Sequence, residues 1–522
     1  MRSVPLISLL LLFALQLSGQ RIETELICEW VPSNQQPAGR GKLYSGKRML
    51  AKGVYLLVFA DSIATAQAFD RLRADPAVRN VQYNWQVSPR SLPDDPLYVQ
   101  QSNLARAGFE EAWEVTVGGS SPNGVPIVTA VLDGGFDVGH EDLRNSLWNN
   151  RSEVAGDGID NDGNGFIDDV HGWNFVANAG EYGSDTHGTQ VAGLIGAEGD
   201  NGIGVAGTNW RSELMLFSIT TVADIVAAYE YVISQKSLHL RTAGQMGANV
   251  VVTNASFGIE GATCADFPVW GGMYDKLGAV GVLTAASAVN AARDVDLAGD
   301  MPTDCPSEYL IGVTNLDQDD RLFSSAGFGS EHVDLGAPGE GSYTTRPNNR
   351  YGNFGSTSAA APYVTGAVAL LYATPCASFQ NLVATDPSAA ALAIRQAILA
   401  SVDANPSLQF RSSSGGALNV AAAQQFLLTR CVEENPTELI LQSVYPNPSS
   451  GRVNLITNYP VPDGAQLEVI EILGKEVGLS PMMRSALFPA SLEVDLSDWP
   501  AGWYLLRLRD GDRTATATLL RQ

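Results

Sequence analysis

The chain has 522 residues, which is longer than one ordinary domain and predicts two to four folding units. Apolar residues make up 45% and charged residues 17%, a composition that excludes wholesale disorder. The formal charge of −24 argues against nucleic acids and anionic membranes as partners, since these bind basic surfaces.

Residues 1–20 have the pattern of a signal peptide. A positive start at Met1-Arg2 precedes an apolar run, Leu6–Leu17, and a small-residue end. The run is short for a membrane span, and no later segment reaches about 18 uninterrupted apolar residues, which disfavours the alternative of a membrane anchor. Export would bring the five cysteines into an oxidising compartment.

The expected disulfides are Cys264 with Cys305 and Cys376 with Cys431, leaving Cys28 unpaired. Sequence alone does not fix this connectivity.

Residues 21–90 predict a small α/β domain, with apolar stretches at Gly53–Ala60 and Val78–Val87 around a helical stretch at Ile63–Leu72. Three prolines in Ser88–Pro96 mark a linker.

Residues 91–430 alternate short apolar runs with longer helical patterns such as Val222–Ser234 and Ser358–Tyr372. This alternation predicts an α/β fold with a doubly wound, mostly parallel sheet flanked by helices. The predicted strands are Pro126–Asp133, Glu213–Ile219, Asn249–Asn254, Val280–Ala285 and Leu310–Thr314.

A linker at 431–439 leads to a region, 440–522, where apolar residues recur with period two between Gly, Asp, Asn and Pro. This pattern predicts an all-β sandwich. Its predicted strands are Arg452–Thr457, Gln466–Ile472, Leu492–Leu496, Trp503–Leu508 and Thr514–Leu520.

Three polar residues stand where the α/β pattern favours chemistry. Asp133 ends a buried strand, where ligands of parallel sheets bind, although an acid there can also cap a helix. His187 begins a helix of small residues and can exchange a proton near neutral pH. Ser358 opens another such helix, whose free N–H groups favour an oxyanion, although serine is also a common cap.

The ordered set resembles the subtilisin-like serine peptidases, whose triad runs Asp, His, Ser. His187-Gly188-Thr189-Gln190-Val191-Ala192-Gly193 matches the family pattern in full, and Thr357-Ser358-Ala359-Ala360-Ala361-Pro362 matches the serine segment. Asp133-Gly134-Gly135 is followed, as in the family, by His140-Glu141-Asp142-Leu143. The resemblance implies Asp133, His187 and Ser358 as the triad of a serine endopeptidase that needs no cofactor for its chemistry.

Two residues depart from the family pattern. Gly134 replaces a hydroxyl residue beside the acid, and Ser356 replaces a glycine, where its Cβ could crowd a substrate. The family's oxyanion asparagine corresponds best to Asn290, which extra residues displace and which could instead be a loop residue. These features suggest an alternative, a catalytically inactive surface adhesin with the same fold.

The same resemblance assigns substrate binding to Ser256, Phe257 and Gly258, which would pair with an extended peptide as an added strand. This edge argues against a second rival, an esterase acting on non-peptide acyl groups.

An acidic loop between residues 157 and 169 offers a calcium site. Asp160, Asp162, Asn164 and Asp168 alternate with other residues and could converge on one ion. The loop is not a full EF-hand, because His171 stands where a bidentate acid is needed, and it could simply be a solvated turn.

The flanking regions resemble two further families. Residues 21–90 resemble subtilase propeptides, which inhibit their own enzyme until cleavage. The region 440–522 resembles sorting domains of the type IX secretion system, on Tyr445-Pro446-Asn447-Pro448 and on Ala501-Gly502-Trp503-Tyr504-Leu505. The resemblance implies outer-membrane export and a secreted or surface-attached enzyme; the alternative is a sandwich that binds carbohydrate or protein.

Overall fold

The structure is a computed structural model that describes residues 20–30, 44–86, 92–431 and, with gaps, 439–521. The gaps are 446, 448, 450–451, 458, 460, 463, 472–475, 481, 485–489, 497–498 and 512. Residues 1–19 of the predicted signal peptide, residues 88–91 of the first linker and most of the second linker lie outside the described residues. The chain divides into two compact units, Met1–Arg90 and Ser91–Gln522.

The first unit is a four-stranded antiparallel sheet with one helix. Its strand order is β2-β3-β1-β4, and α1 contributes Ala68 and Leu72 to a core that includes Leu26 and Leu57. The carboxylate of Asp61 caps the helix by accepting the Ala64 N–H at 2.7 Å. The elements are β1 Gln20–Trp30, β2 Gly46–Ala51, β3 Val54–Val58, α1 Ser62–Arg73 and β4 Val78–Gln86.

A nine-stranded sheet forms the centre of the second unit and confirms the predicted mostly parallel, doubly wound class. Its order is β16-β17-β13-β12-β10-β8-β5-β7-β6, and only the β16–β17 pair is antiparallel. The strands are β5 Val128–Asp133, β6 Gly172–Asn174, β7 Glu213–Ser218, β8 Val250–Ala255, β10 Leu283–Ser287, β12 Leu310–Leu316, β13 Leu335–Pro338, β16 Asp403–Ala404 and β17 Gly416–Ala417.

Two short antiparallel pairs lie outside this sheet. They are β9 Ile259–Glu260 with β11 Asp300–Met301, and the hairpin β14 Ser342–Arg346 with β15 Arg350–Phe354.

Helices cover both faces of the sheet, because its central strands are buried along their whole length and need apolar cover on each side. One core holds residues of α8, α10 and α11, and a second holds residues of α5 and α6. The helices are α2 Ser102–Arg106, α3 Phe109–Ala112, α4 Thr186–Gly196, α5 Val222–Arg241, α6 Pro268–Ala279, α7 Val295–Ala298, α8 Thr357–Tyr372, α9 Ala377–Thr385, α10 Pro387–Ala400 and α11 Val420–Leu428, with 3₁₀ turns at Tyr98–Gln100 and Cys264–Asp266.

Disulfides join Cys264 to Cys305 and Cys376 to Cys431, the pairing expected from the sequence, and Cys28 is free and buried. Among the described helices, none is by itself long and apolar enough to span a membrane; α8 and α9 meet the criterion only together, across a bend of 102°.

The C-terminal strands form two four-stranded antiparallel sheets, as predicted for a sandwich. Their orders are β18-β19-β23-β22 and β21-β20-β24-β25, and a shared core includes Val453, Leu455, Leu467 and Leu506. The strands are β18 Leu441–Tyr445, β19 Arg452–Thr457, β20 Gln466–Glu471, β21 Glu476–Ser480, β22 Met483–Arg484, β23 Ser491–Asp495, β24 Gly502–Asp510 and β25 Arg513–Arg521.

Candidate active site

Asp133 is the last residue of the central strand β5. Its side chain is 7% exposed, and its Oδ1 accepts the backbone N–H of Gly134 at 2.8 Å. The neighbouring strands β7 and β8 run parallel to β5, so their carboxyl ends meet at this edge of the sheet. The buried carboxylate therefore faces the edge where ligands of such sheets bind.

His187 is the second residue of α4, and a capping residue holds it there. The carboxylate of Asp185 accepts the backbone N–H groups of His187 and Gly188 at 2.8 and 3.1 Å. A Cβ on Gly188 would collide with the Gly135 carbonyl and lie 3.0 Å from the Cβ of Asp133. Glycine thus lets α4 approach β5 closely enough for the histidine and the aspartate to meet.

The imidazole and the carboxylate form a close pair. Nδ1 of His187 lies 3.0 and 2.9 Å from the two carboxylate oxygens of Asp133. Burial lowers the pKa of His187, but the hydrogen bond and charge of Asp133, helped by Asp185, outweigh it and raise that pKa above 6.5. A proton on Nδ1 is held by Asp133, which leaves Nε2 of the neutral ring as a proton acceptor.

Ser358 is the second residue of α8 and is 6% exposed. Its hydroxyl lies 3.5 Å from the carbonyl oxygen of Ser256, and within the described part of the chain it makes no hydrogen bond to His187. The structure thus joins two of the three predicted triad residues directly, while the serine hydroxyl points toward Ser256. Such bonds are often long or misaligned before substrate binds.

Asn290, the predicted oxyanion donor, contacts the residue that precedes Ser358. Its Oδ1 accepts both the backbone N–H of Thr357, at 3.1 Å, and the Thr357 hydroxyl, at 2.8 Å. A backbone N–H can only donate, so the oxygen of the amide must face Thr357 and the NH₂ group must face away. Neither that NH₂ group nor the Ser358 N–H has an acceptor among the described residues, so both can donate to a substrate oxygen.

The two residues that depart from the family pattern have different physical consequences. Gly134 has room for a side chain, since an added Cβ would make only an ordinary contact, 3.8 Å from its nearest neighbour, and its N–H already holds Asp133. Ser356 has φ 72° and ψ 178°, a region that only glycine visits freely and that costs another residue about 1–3 kcal/mol. Ser356 therefore has a strained backbone, while the crowding of substrate by its Cβ stays a prediction.

The predicted substrate edge follows β8. Phe257 and Gly258 make no backbone hydrogen bond to another described residue, so their main chain is available to an extended peptide. Ser256 is buried instead, and its hydroxyl donates to the Ser358 carbonyl at 3.0 Å. It thereby ties this edge to the first turn of α8.

A cleft of about 280 Å³ opens beside this edge, a volume at the lower limit for small-ligand sites. Asp133 and His187 border it, and Ile225, Phe257 and Trp270 supply apolar wall. The sequence does not single out Ile225 or Trp270, because neither belongs to a motif and both have the pattern of ordinary buried helix residues.

The acidic loop is only partly arranged as predicted. Carboxylate oxygens of Asp160 and Asp162 lie within 4.8 Å of each other and of Glu153, which the sequence analysis missed. Asp168 faces elsewhere, because its carboxylate accepts the N–H groups of residues 156–158. The amide nitrogen of Asn164 donates to Asp162, and its oxygen accepts the Phe166 N–H.

Comparison with known families identifies the class of the chain. Residues 124–415 match the subtilase family, and this span is more than half of the chain. The chain therefore belongs to the subtilase family. Residues 443–522 match the secretion system C-terminal sorting domain, which marks the protein for type IX export to a secreted or cell-surface location.

Curated relatives are similar over the same region. The chain is 30% identical to subtilisin-like protease 1 of Plasmodium vivax over 56% of its own length and 46% of the relative's. It is 28% identical to the major intracellular serine protease of Bacillus subtilis over 52% of its own length and 74% of the relative's. The chain spans less than half of the Plasmodium protein.

Among solved structures, a protease from Pseudoalteromonas arctica is 22% identical and has a TM-score of 0.47, with 65% of this chain and all of that one covered.

Proposed function

We propose that the protein is a secreted serine endopeptidase that hydrolyses peptide bonds through an acyl-enzyme. The observation that carries the proposal is the pair formed by the half-exposed His187 and the buried Asp133, with Nδ1 and Oδ2 2.9 Å apart, at the same edge of the sheet as the start of α8. The subtilase family and its protease relatives support the same reaction class.

In this reaction Nε2 of His187 takes the proton of the Ser358 hydroxyl as Oγ bonds to the substrate carbonyl carbon. Asp133 stabilises the imidazolium that results. The oxyanion receives the Asn290 amide and the Ser358 N–H. Collapse of the intermediate breaks the C–N bond, and the imidazolium gives its proton to the leaving amine. Water, deprotonated by the same ring, then releases the acyl group.

The substrate would lie as an extended strand along Phe257 and Gly258, where main-chain pairing demands little of its sequence. We therefore expect protein and peptide substrates of broad specificity. The alternative of an inactive adhesin finds little support, because Gly134 still holds Asp133 through its N–H and Asn290 reaches Thr357 despite its displacement.

The test compares the protein with its Ser358→Ala variant on casein and on a fluorophosphonate probe. We expect cleavage and labelling of the first protein only, since the variant lacks the nucleophile. A native protein that neither cleaves casein nor takes up the probe would contradict the endopeptidase.

We also propose that residues 21–90 act as an inhibitory propeptide and that the type IX machinery recognises the C-terminal module. Their support is the resemblance of the first unit to subtilase propeptides and the sorting-domain match. Self-cleavage between residues 88 and 97, present in the native chain and absent in Ser358→Ala, would be expected. Cleavage of both proteins at this place would argue against self-processing.

For the acidic loop we propose a structural calcium ion held by Glu153, Asp160 and Asp162. The three carboxylates accept backbone N–H groups of the same loop, a cation between them would offset the repulsion that remains, and calcium prefers such hard oxygens. We expect EGTA to lower the Tm of Ser358→Ala and to leave that of a further Asp160→Asn variant unchanged. Equal responses of the two proteins would count against calcium at this loop.

A further inference from the structure

We infer that Glu340 is a positioning residue that holds the strained peptide in front of the nucleophile. The inference rests on the proposed serine-peptidase function. It concerns a side chain outside the three sequence motifs, which lies in the turn between β13 and β14 and is half-buried.

The hairpin β14–β15 sets the register. Its ladder pairs Ser342 with Phe354 and ends there. Two steps further along the same register, Glu340 stands opposite Ser356, where the chain leaves the ladder and turns into α8. At this point Oε1 of Glu340 accepts the backbone N–H of Ser356 at 2.8 Å. A side chain therefore continues the pairing that the backbone no longer makes.

The glutamate is itself held. Asn315, fully buried at the end of β12, donates its Nδ2 to the same Oε1 at 2.9 Å. Its Oδ1 accepts the N–H groups of Gly339 and Glu340 at 3.0 and 3.2 Å. Asn103 adds a hydrogen bond from its Nδ2 to the Glu340 carbonyl at 3.1 Å. With backbone and carboxylate both fixed, Glu340 presents its acceptor at a defined point.

The peptide that Glu340 binds needs such support. Ser356 is held at φ 72° and ψ 178°, where a Cβ is strained, and its side chain makes no capping bond. An added Cβ on Gly355 would lie 2.9–3.2 Å from the Glu340 carboxylate, so the glycine lets the carboxylate approach. Relaxation of Ser356 toward an ordinary φ would rotate the peptides that follow it, including the N–H of Ser358.

Phe354, at the end of the hairpin, also contacts the proposed base, His187. The Phe354 ring meets the His187 ring edge-on at 5.5 Å between centroids. The segment from Phe354 to Ser358 thus carries the nucleophile, one oxyanion donor and a contact to the base. We expect a shift of this segment to change transition-state geometry more than substrate affinity, because Phe257 and Gly258 follow β8, and the Ser256 bond that joins this edge to α8 ends on the Ser358 carbonyl, beyond the strained peptide.

The experiment measures kcat, KM and titratable active sites for Glu340→Ala, Glu340→Gln and, as control, the exposed Glu331→Ala. We expect Glu340→Ala to lower kcat per titrated site by 10-fold or more, with KM changed less than threefold. Glu340→Gln keeps an oxygen that can accept both hydrogen bonds, so its kcat should stay within threefold of the native value, as should that of Glu331→Ala.

A second substitution tests the mechanism. Glycine holds the Ser356 conformation without help, so Ser356→Gly combined with Glu340→Ala should recover most of the lost kcat. If Glu340→Ala does not fold, Glu340→Asp replaces it, because it keeps the charge but withdraws the acceptor by one methylene.

The outcomes separate the two proposals. A native protein without titratable sites refutes the peptidase itself. An active native protein whose Glu340→Ala form keeps its kcat refutes the positioning role. Loss of kcat that Ser356→Gly does not restore also refutes it, since Glu340 would then act by some route other than Ser356.

Discussion

Asn290 is the proposed active-site residue that the sequence supports least, and the proposed chemistry depends strongly on it. Its Oδ1 is fixed by Thr357, so its NH₂ group is preoriented. Removing one such donor typically lowers kcat by about 100- to 1000-fold.

We therefore predict that Asn290→Ala loses kcat by about that factor with KM little changed, since the oxyanion exists only in the transition state. Steady-state hydrolysis of a peptide substrate measures it. Asn290→Asp serves as the companion variant and should be no more active, because its carboxylate repels the oxyanion. Full activity of Asn290→Ala would mean that another group stabilises the oxyanion.

The His187–Asp133 pair predicts how activity depends on pH. Only the neutral imidazole can accept the serine proton, and the pKa of His187 is raised above 6.5. Activity should therefore be lost as pH falls through that raised pKa, so the acid limb of kcat/KM lies above pH 6.5. An acid limb at or below the ordinary histidine pKa would show that Asp133 does not raise the pKa of His187, and a kcat/KM without an acid limb would contradict the assignment of His187 as base.

At the scale of elements, the close contact of α4 with β5 brings the pair together. We predict that Gly188→Ala slows reaction of Ser358 with a fluorophosphonate by 10-fold or more, because its Cβ collides with the Gly135 carbonyl and moves His187 away from Asp133. Fluorophosphonate labelling rate is the measurement. Gly134→Ala is the matched control, since its Cβ meets only ordinary contacts, and equal rates in both variants would disprove this account.

Much of the element pattern is predictable from sequence, and the exceptions have physical causes. Strand Arg452–Thr457 was predicted to the residue, and β5 within two, because both are apolar patterns with clear ends. The helix predicted at Val222–Ser234 continues to Arg241, since buried Gln235 and Lys236 interrupt the apolar pattern without breaking the helix.

For the site, motifs identify residues but not backbone conformation. His187 could be found from its segment, whereas the strain at Ser356 depends on a φ angle set by the hairpin before α8. Asp168 was expected to converge with Asp160, but it adopts φ 56° and its carboxylate binds an earlier turn. Glu340 and Glu153 could not be found, because their partners are brought to them only by folding.

At the scale of the whole molecule, a buried lysine makes stability depend on pH. Lys236 is fully buried on α5 with a hydrogen bond from Nζ to Asn249 Oδ1 at 2.6 Å, and burial lowers its pKa from 10.5 to about 7. The unfolded chain then binds more protons than the folded one between these values, so stability rises with pH across this window and is lowest below pH 7.

We predict that replacing Lys236 by Met removes this dependence. Between pH 7 and pH 9, the free energy of unfolding should rise by roughly 2–3 kcal/mol more in the lysine protein than in Lys236→Met. Denaturant titrations in a Ser358→Ala background avoid self-digestion. Parallel pH profiles would show that the lysine stays charged in the folded state.

The three proposed triad residues come from elements far apart along the chain, and the last of them opens α8, which is buried along its whole length in the centre of the domain. During synthesis from the N-terminus, the chain contains Asp133 and His187 long before it contains Ser358. The helix that delivers the nucleophile also fills the core against β8, β10 and β12. The nucleophile and the helix that fills the core are therefore added to the chain together. We expect a chain truncated before α8 to be unfolded and to have no peptidase activity.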